Sequence, residues 1–130
     1  MFTIEAIKAA HAKVKTGADY PAYIGEIIAM GVTAYETSVS DGNTTYFGAG
    51  SFQIQSGPKY GSIPVSEKSN QAKFQEDLKA HQGGATDFPT FCIDSAKSGI
   101  EKWVADLSAM TCTYFDKAGI ALVVESIPEP

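Results

Sequence analysis

The chain is predicted to fold as an α+β domain: two pseudo-repeated helix-helix-β-meander units building one antiparallel sheet. Three observations predict it. Apolar residues recur at helical spacing in two successive stretches, alternating Thr-, Tyr- and Val-rich segments separated by turn residues follow, and the whole order then begins again.

Thr3 is a good N-cap, and Ile4, Ile7, His11 and Val14 fall at spacings of three and four, so a first helix is expected from Thr3 to Thr16. Gly17-Ala18 breaks it. Asp19 can cap a second helix with Pro21 in its first turn, Tyr20, Tyr23, Ile24, Ile27 and Met30 on its apolar stripe and Gly31 as its C-terminal cap. From Val32 the pattern alternates, and Asp41-Gly42-Asn43 marks a hairpin turn. Gly48-Ala-Gly50 then leads into Ser51-Phe-Gln-Ile-Gln55, which completes a three-stranded meander. Residues 56–68, with two prolines and two glycines, read as a connector with at most a short edge strand.

Ser69 can cap a third helix bearing Phe74, Leu78 and His81 on one face and ending at Gly83-Gly84. Asp87-Phe-Pro opens a fourth, with Phe88, Phe91, Cys92 and Ala96 inside and Gly99 as its stop. Strands are expected at about 101–107, 110–115 and 120–125, with Asp116-Lys-Ala-Gly119 turning the last hairpin. The organisation is one domain over 1–130: a first unit over about 3–55, the connector over about 56–68, and a second unit over about 69–125.

Sliding the chain by 68 residues aligns Asp19-Tyr-Pro-x-Tyr23 with Asp87-Phe-Pro-x-Phe91, Tyr35 with Trp103 and Thr45-Tyr-Phe47 with Thr113-Tyr-Phe115, without a gap. Between 19–47 and 87–115 seven pairs are identical, against about two for unrelated segments at typical residue frequencies. Duplication is the expected cause. The upstream helices align less clearly, because an offset of 70 pairs His11 with His81 while 67 pairs Ile7 with Phe74.

A net charge of −5 without a Lys/Arg stripe argues against nucleic-acid binding, and the longest apolar run, 119–124, is far too short for a membrane span. The start, Met-Phe-Thr-Ile-Glu, carries no signal-peptide pattern, so a cytoplasmic protein is expected. Cys92 and Cys112 have no second pair and no histidine at zinc-finger spacing, so reduced thiols, no metal and no cofactor are expected. Cys92 aligns with Ile24 on an apolar stripe, which predicts a buried, inert thiol rather than a nucleophile. Asp19 and Asp87 occupy cap positions.

The second half, with His81, Phe88 to Cys92, Gly99, Trp103, Asp106 and Tyr114, resembles the YdfO-like family, domain of unknown function 1398. Its members are prophage-associated bacterial proteins often labelled phage envelope proteins. The resemblance implies a small α+β fold and a mobile-element history, without an established activity. The envelope label fits poorly with an acidic chain that has no membrane segment or repetitive coat composition.

No phosphate loop, metal-ligand spacing or serine-triad motif is present. The leading expectation is a non-catalytic binding or regulatory protein that accepts a small molecule or protein segment in a groove between the halves. His81, Trp103, Asp106 and Tyr114 are the expected ligand-binding residues. His81 and Asp106 interrupt apolar patterns, and the second unit has Cys92, Ser95 and Asp106 where the first has Ile24, Ile27 and Ser38. A small enzyme using His81 with Asp106 or Cys92, and an acidic inhibitor of a host protein, are the alternatives.

Overall fold

The computed structural model describes residues 2–15 and 19–127. Four helices and six strands follow one another as α1 (Ile4–His11), α2 (Tyr20–Met30), β1 (Ala34–Ser38), β2 (Thr44–Phe47), β3 (Gln53–Gln55), α3 (Gln71–Gln82), α4 (Phe88–Lys97), β4 (Ile100–Asp106), β5 (Thr111–Asp116) and β6 (Ala121–Ser126). The strands form one antiparallel sheet in the order β3-β2-β1-β4-β5-β6, and this is an α+β fold.

Alternation along each strand gives the sheet a buried face carrying Tyr35, Thr37, Val39, Tyr46, Trp103, Ala105, Cys112 and Tyr114. The helices cover that face, with Tyr20 of α2 reaching Tyr35 and Phe91 of α4 packing on Trp103. The other face is a wetter surface, where Lys102 pairs with Glu36 at 3.2 Å and lies over the Phe115 ring. Ile7, Ile24, Ile27, Phe74 and Ile100 are almost wholly enclosed in the core.

The β1–β4 seam has a register that matches the 68-residue offset of the sequence. That offset pairs Glu36 with Val104, and these two are direct cross-strand neighbours. On either side Tyr35 faces Ala105 and Thr37 faces Trp103, and the same offset exchanges those two pairs. The strands are therefore related by a local twofold through Glu36 and Val104. The hairpins agree: Tyr35 faces Tyr46 as Trp103 faces Tyr114, and Thr37 faces Thr44 as Ala105 faces Cys112. At the third strands agreement is partial: Phe47 faces Gln53 as Phe115 faces Ala121, but a bulge between Tyr114 and Phe115 puts Val123 opposite Tyr114, one residue beyond the counterpart of Ile54, which faces Tyr46.

Backbone conformation repeats where the side chains do not. Gly31 and Gly99 both end a helix at positive φ, 108° and 82°. Gly42 in the β1–β2 turn has φ 75°, and Met110, its counterpart at the same offset, is held at 56° in a region that favours glycine.

Several local expectations need correction. The first helix stops at His11, because Lys13 and Val14 donate to Ala10 and His11 in a tightened last turn. The Gly17-Ala18 break lies outside the described residues. Asp19 makes no side-chain cap to α2; its carboxylate accepts from the Lys15 N–H at 2.9 Å. Asn70 rather than Ser69 caps α3, accepting from Lys73 N–H at 3.0 Å, while the Ser69 backbone packs against Gly99. The connector holds no strand. Phe88 sits on the exposed rim rather than inside, and His11 is exposed rather than part of the buried stripe.

Candidate functional site

Three of the four expected site residues meet in one aromatic cluster. The His81 ring, in the last turn of α3, stacks on Phe91 at 4.4 Å and 11°. Phe91 packs on Trp103 at 5.6 Å, and Trp103 on Tyr114 at 5.9 Å. Phe74 closes the cluster against Tyr114 at 5.0 Å. His81 Nδ1 lies 3.0 Å from the Thr86 carbonyl, so the loop after α3 fixes the ring.

Asp106 stands apart from this cluster. It is exposed at the end of β4, and its carboxylate accepts from the Ser108 and Ala109 N–H groups at 3.0 and 3.1 Å, which folds the β4–β5 turn. Cys92 is buried beside the Tyr60 hydroxyl. Burial pushes its thiol up, with the Tyr60 hydroxyl and the Lys59 charge pulling the other way, so the thiol form dominates at neutral pH. Ser95 donates to the Phe91 carbonyl at 2.7 Å within its own helix. His81, Asp106 and Cys92 thus each engage different groups.

His11 and His81 each pack against a ring of the following helix, edge-on in the first case and stacked in the second. His11 packs edge-on to Tyr23 at 5.1 Å, and Tyr23 is the counterpart of Phe91 at the 68-residue offset. The surrounding rings differ in chemistry. Tyr20, Tyr23, Tyr35 and Tyr46 of the first unit stand where the second has Phe88, Phe91, Trp103 and Tyr114. The Tyr20 and Tyr35 hydroxyls share a hydrogen bond, where Phe88 and Trp103 meet edge to face at 6.3 Å. Burial drives the pKa of Tyr20, Tyr23 and Tyr35 well above the usual phenol range, so the first cluster is neutral and closed.

The hydroxyl of Tyr114, the one tyrosine in the second cluster, turns outward instead. It donates to Glu125 Oε1 at 3.1 Å, and Gln82 Nε2 donates to the same oxygen at 2.9 Å. Burial raises the Tyr114 pKa, so the phenol keeps its proton as a donor. Among the described residues Glu125 Oε2 accepts no hydrogen bond. Glu125 lies on the wall of a cleft of about 300 Å³ between α3 and β6, lined also by Gln75, Leu78, Lys79, Gln82 and Val123. The helix contributes positions 75, 78, 79 and 82, one face at spacings of three and four, and the strand contributes 123 and 125, one side of a pleat.

Element length explains why this cleft belongs to the second unit. The helix α3 has 12 residues against 8 in α1, and β6 has 6 against 3 in β3. In the first unit the polar corner at Thr37 and Thr44 is occupied by the chain itself. Lys59 Nζ donates to Thr44 Oγ1 at 3.0 Å and to the Gly42 carbonyl at 2.7 Å. At the corresponding corner, Ala105 and Cys112, the neighbouring polar side chain is Glu125, the cross-strand partner of Cys112.

Sequence reasoning missed Gln75, Lys79, Gln82 and Glu125. The available signal was Glu125 itself, an acid closing the apolar run Ala-Leu-Val-Val. Among the described residues no group of three His, Cys, Asp or Glu side chains gathers as a metal ion would require, and no helix is long and apolar enough to cross a membrane.

A family model described as "Protein of unknown function (DUF1398)" matches residues 8–126. No curated protein matches the chain.

Proposed function

The chain belongs to the DUF1398 family, and we propose that it is a non-catalytic binding or regulatory protein whose α3–β6 cleft receives a small molecule or a protein segment. The observation that carries this reading is the half-buried Glu125 carboxylate. Tyr114 and Gln82 hold it by one oxygen while the other is left for a ligand at the cleft wall. Leu78 and Val123 supply apolar surface, and Gln75 and Lys79 supply donors at the rim. Behind this wall His81, Phe91, Trp103 and Tyr114 act as a rigid backing that fixes the Tyr114 hydroxyl. Asp106 has no part in it.

A cytoplasmic protein of mobile-element ancestry belongs to the same proposal, supported by the resemblance to YdfO-like prophage proteins and by two unbridged, buried thiols. Descent from a duplicated unit is supported by the seam register and the paired glycines at 31 and 99.

The test is a screen of metabolites and short peptides by two-dimensional NMR on the labelled full chain. Ligand shifts are expected at Gln75, Leu78, Gln82, Val123 and Glu125, and Glu125→Gln should weaken binding about tenfold, as loss of one charge-assisted hydrogen bond would. Shifts confined to residues 20–47, or binding indifferent to Glu125, would sink the proposal.

A further inference from the structure

Resting on the cleft reading, we infer that the ligand is an extended peptide that adds to β6 as a seventh strand beneath α3 and carries a basic residue for Glu125. Among the described residues β6 is the outer strand on its side of the sheet and pairs with β5 alone. The Ile127 N–H donates to the Met110 carbonyl at 2.8 Å. Alternation then turns the backbone groups of Val123 and Glu125 toward β5 and those of Val124 and Ser126 toward the free edge. Among the described residues Val124 is also the most exposed large apolar one, at 61 %. The opposite edge, β3, has only three residues, too few to template a partner strand.

The protein already places an amide against this edge. Gln71 Nε2 donates to the Leu122 carbonyl at 2.6 Å, which is the bond a peptide N–H would make to an edge strand. From Gln71 to Gln82, α3 spans roughly 16 Å at about 1.5 Å per residue, long enough to roof four or five residues of added strand. A helix beside a free edge is a known geometry for strand addition, with main-chain bonds giving affinity and alternate side chains giving specificity.

The occupant's chemistry follows from the lining. Alternate side chains of the added strand enter the cleft, so an apolar residue would meet Leu78 and Val123, and the residue two positions along would meet Glu125. The Glu125 carboxylate, with a chain charge of −5, selects Lys or Arg there. The Lys79 ammonium disfavours a second basic residue nearby.

A library of blocked heptapeptides in which variable residues alternate with Thr, screened against the full chain, tests this. Enrichment of an apolar residue followed two positions later by Lys or Arg is expected, with amide exchange at Val124 and Ser126 slowed about tenfold in the complex. Methylating the peptide nitrogens that face β6 should weaken binding about tenfold each, the effect of one lost hydrogen bond, while methylating the others should not. Val124→Pro, which removes a free-edge donor and no β5–β6 bond, should do the same. Failure of every peptide to bind, acidic residues at the basic position, or binding that leaves the Val124 and Ser126 amides unchanged would overturn the inference. If metabolite shifts still mark Gln82 and Glu125, the cleft reading survives that failure. Protection of Val124 and Ser126 that rises with protein concentration and a doubled mass, without peptide, would identify a second copy as the occupant and likewise overturn it.

Discussion

The two halves place rings at the same four points of one frame and satisfy them differently. In the first, Tyr20, Tyr23, Tyr35 and Tyr46 are buried or half-buried and close a hydrogen-bonded cluster on themselves. In the second, Phe88, Phe91 and Trp103 carry no hydroxyl, and the remaining one, on Tyr114, turns to a carboxylate at a cleft. The difference teaches that ring position follows from the backbone frame, while the direction of polarity follows from element length. A short α1 and β3 leave little surface to address; a long α3 and β6 create a wall with a charged group to anchor.

The largest effect that could break the comparison lies at its paired glycines. Both Gly31 and Gly99 need positive φ, but a Cβ at Gly99 would lie 2.7 Å from Ser69 Cα, whereas at Gly31 the nearest atom is a Phe2 ring carbon at 3.8 Å. Gly99→Ala should cost roughly 2–5 kcal/mol from strain plus overpacking, and Gly31→Ala about 1–2 kcal/mol from strain alone. Urea midpoints of the two variants decide this, and equal losses would show that the connector does not lock the second unit.

The next effect concerns the hydroxyl pair. Tyr20→Phe or Tyr35→Phe strands one buried hydroxyl and should each cost about 1–2 kcal/mol. The double variant should cost less than the sum, because Phe88 and Trp103 fill the same places without hydroxyls. Additive losses in a double-mutant cycle would contradict the equivalence.

A smaller and pH-dependent effect comes from the same rings. Burial raises the folded-state pKa of Tyr20, Tyr23 and Tyr35 and pushes the Cys112 thiol up to about 12. The unfolded chain releases these protons first, so this stability is fully present below about pH 8 and is lost as pH rises through and beyond the ordinary thiol and phenol ranges. Tyrosinate absorbance should therefore appear together with unfolding; ionisation near pH 10 in the folded chain would refute the closed cluster. Smallest of all, Asp87→Ala should cost about 1 kcal/mol through the lost cap on Thr90 N–H, read as a shift in urea midpoint.

Most of the frame was legible because it rests on local chemistry. Pro21 and Pro89 start helices, Gly31 and Gly99 stop them, and Asp41-Gly42-Asn43 turns a hairpin. The offset of 68 could be read because those signals repeat, and it coincides with the seam register. The cleft was not legible for a physical reason. Gln82 and Glu125, which share a hydrogen bond, stand 43 residues apart in the chain, and no local pattern states that α3 runs beside β6. The place of Asp106 was not legible either, because an acid breaking an apolar strand looks the same in sequence whether it folds a turn, as its bonds to Ser108 and Ala109 do, or faces a ligand. Met110, at positive φ without being glycine, could be suspected only through Gly42.

Under the proposed function, the first unit's polar groups serve packing and the second unit's serve a ligand. The most direct test is the dissociation constant of the best cleft ligand for three versions of the chain: wild type, Tyr20→Phe/Tyr35→Phe, and Tyr114→Phe/Glu125→Gln. The account predicts unchanged affinity for the first pair and at least about a tenfold loss for the second, with both variants folded. Weakened binding in the first pair with unchanged binding in the second would contradict it.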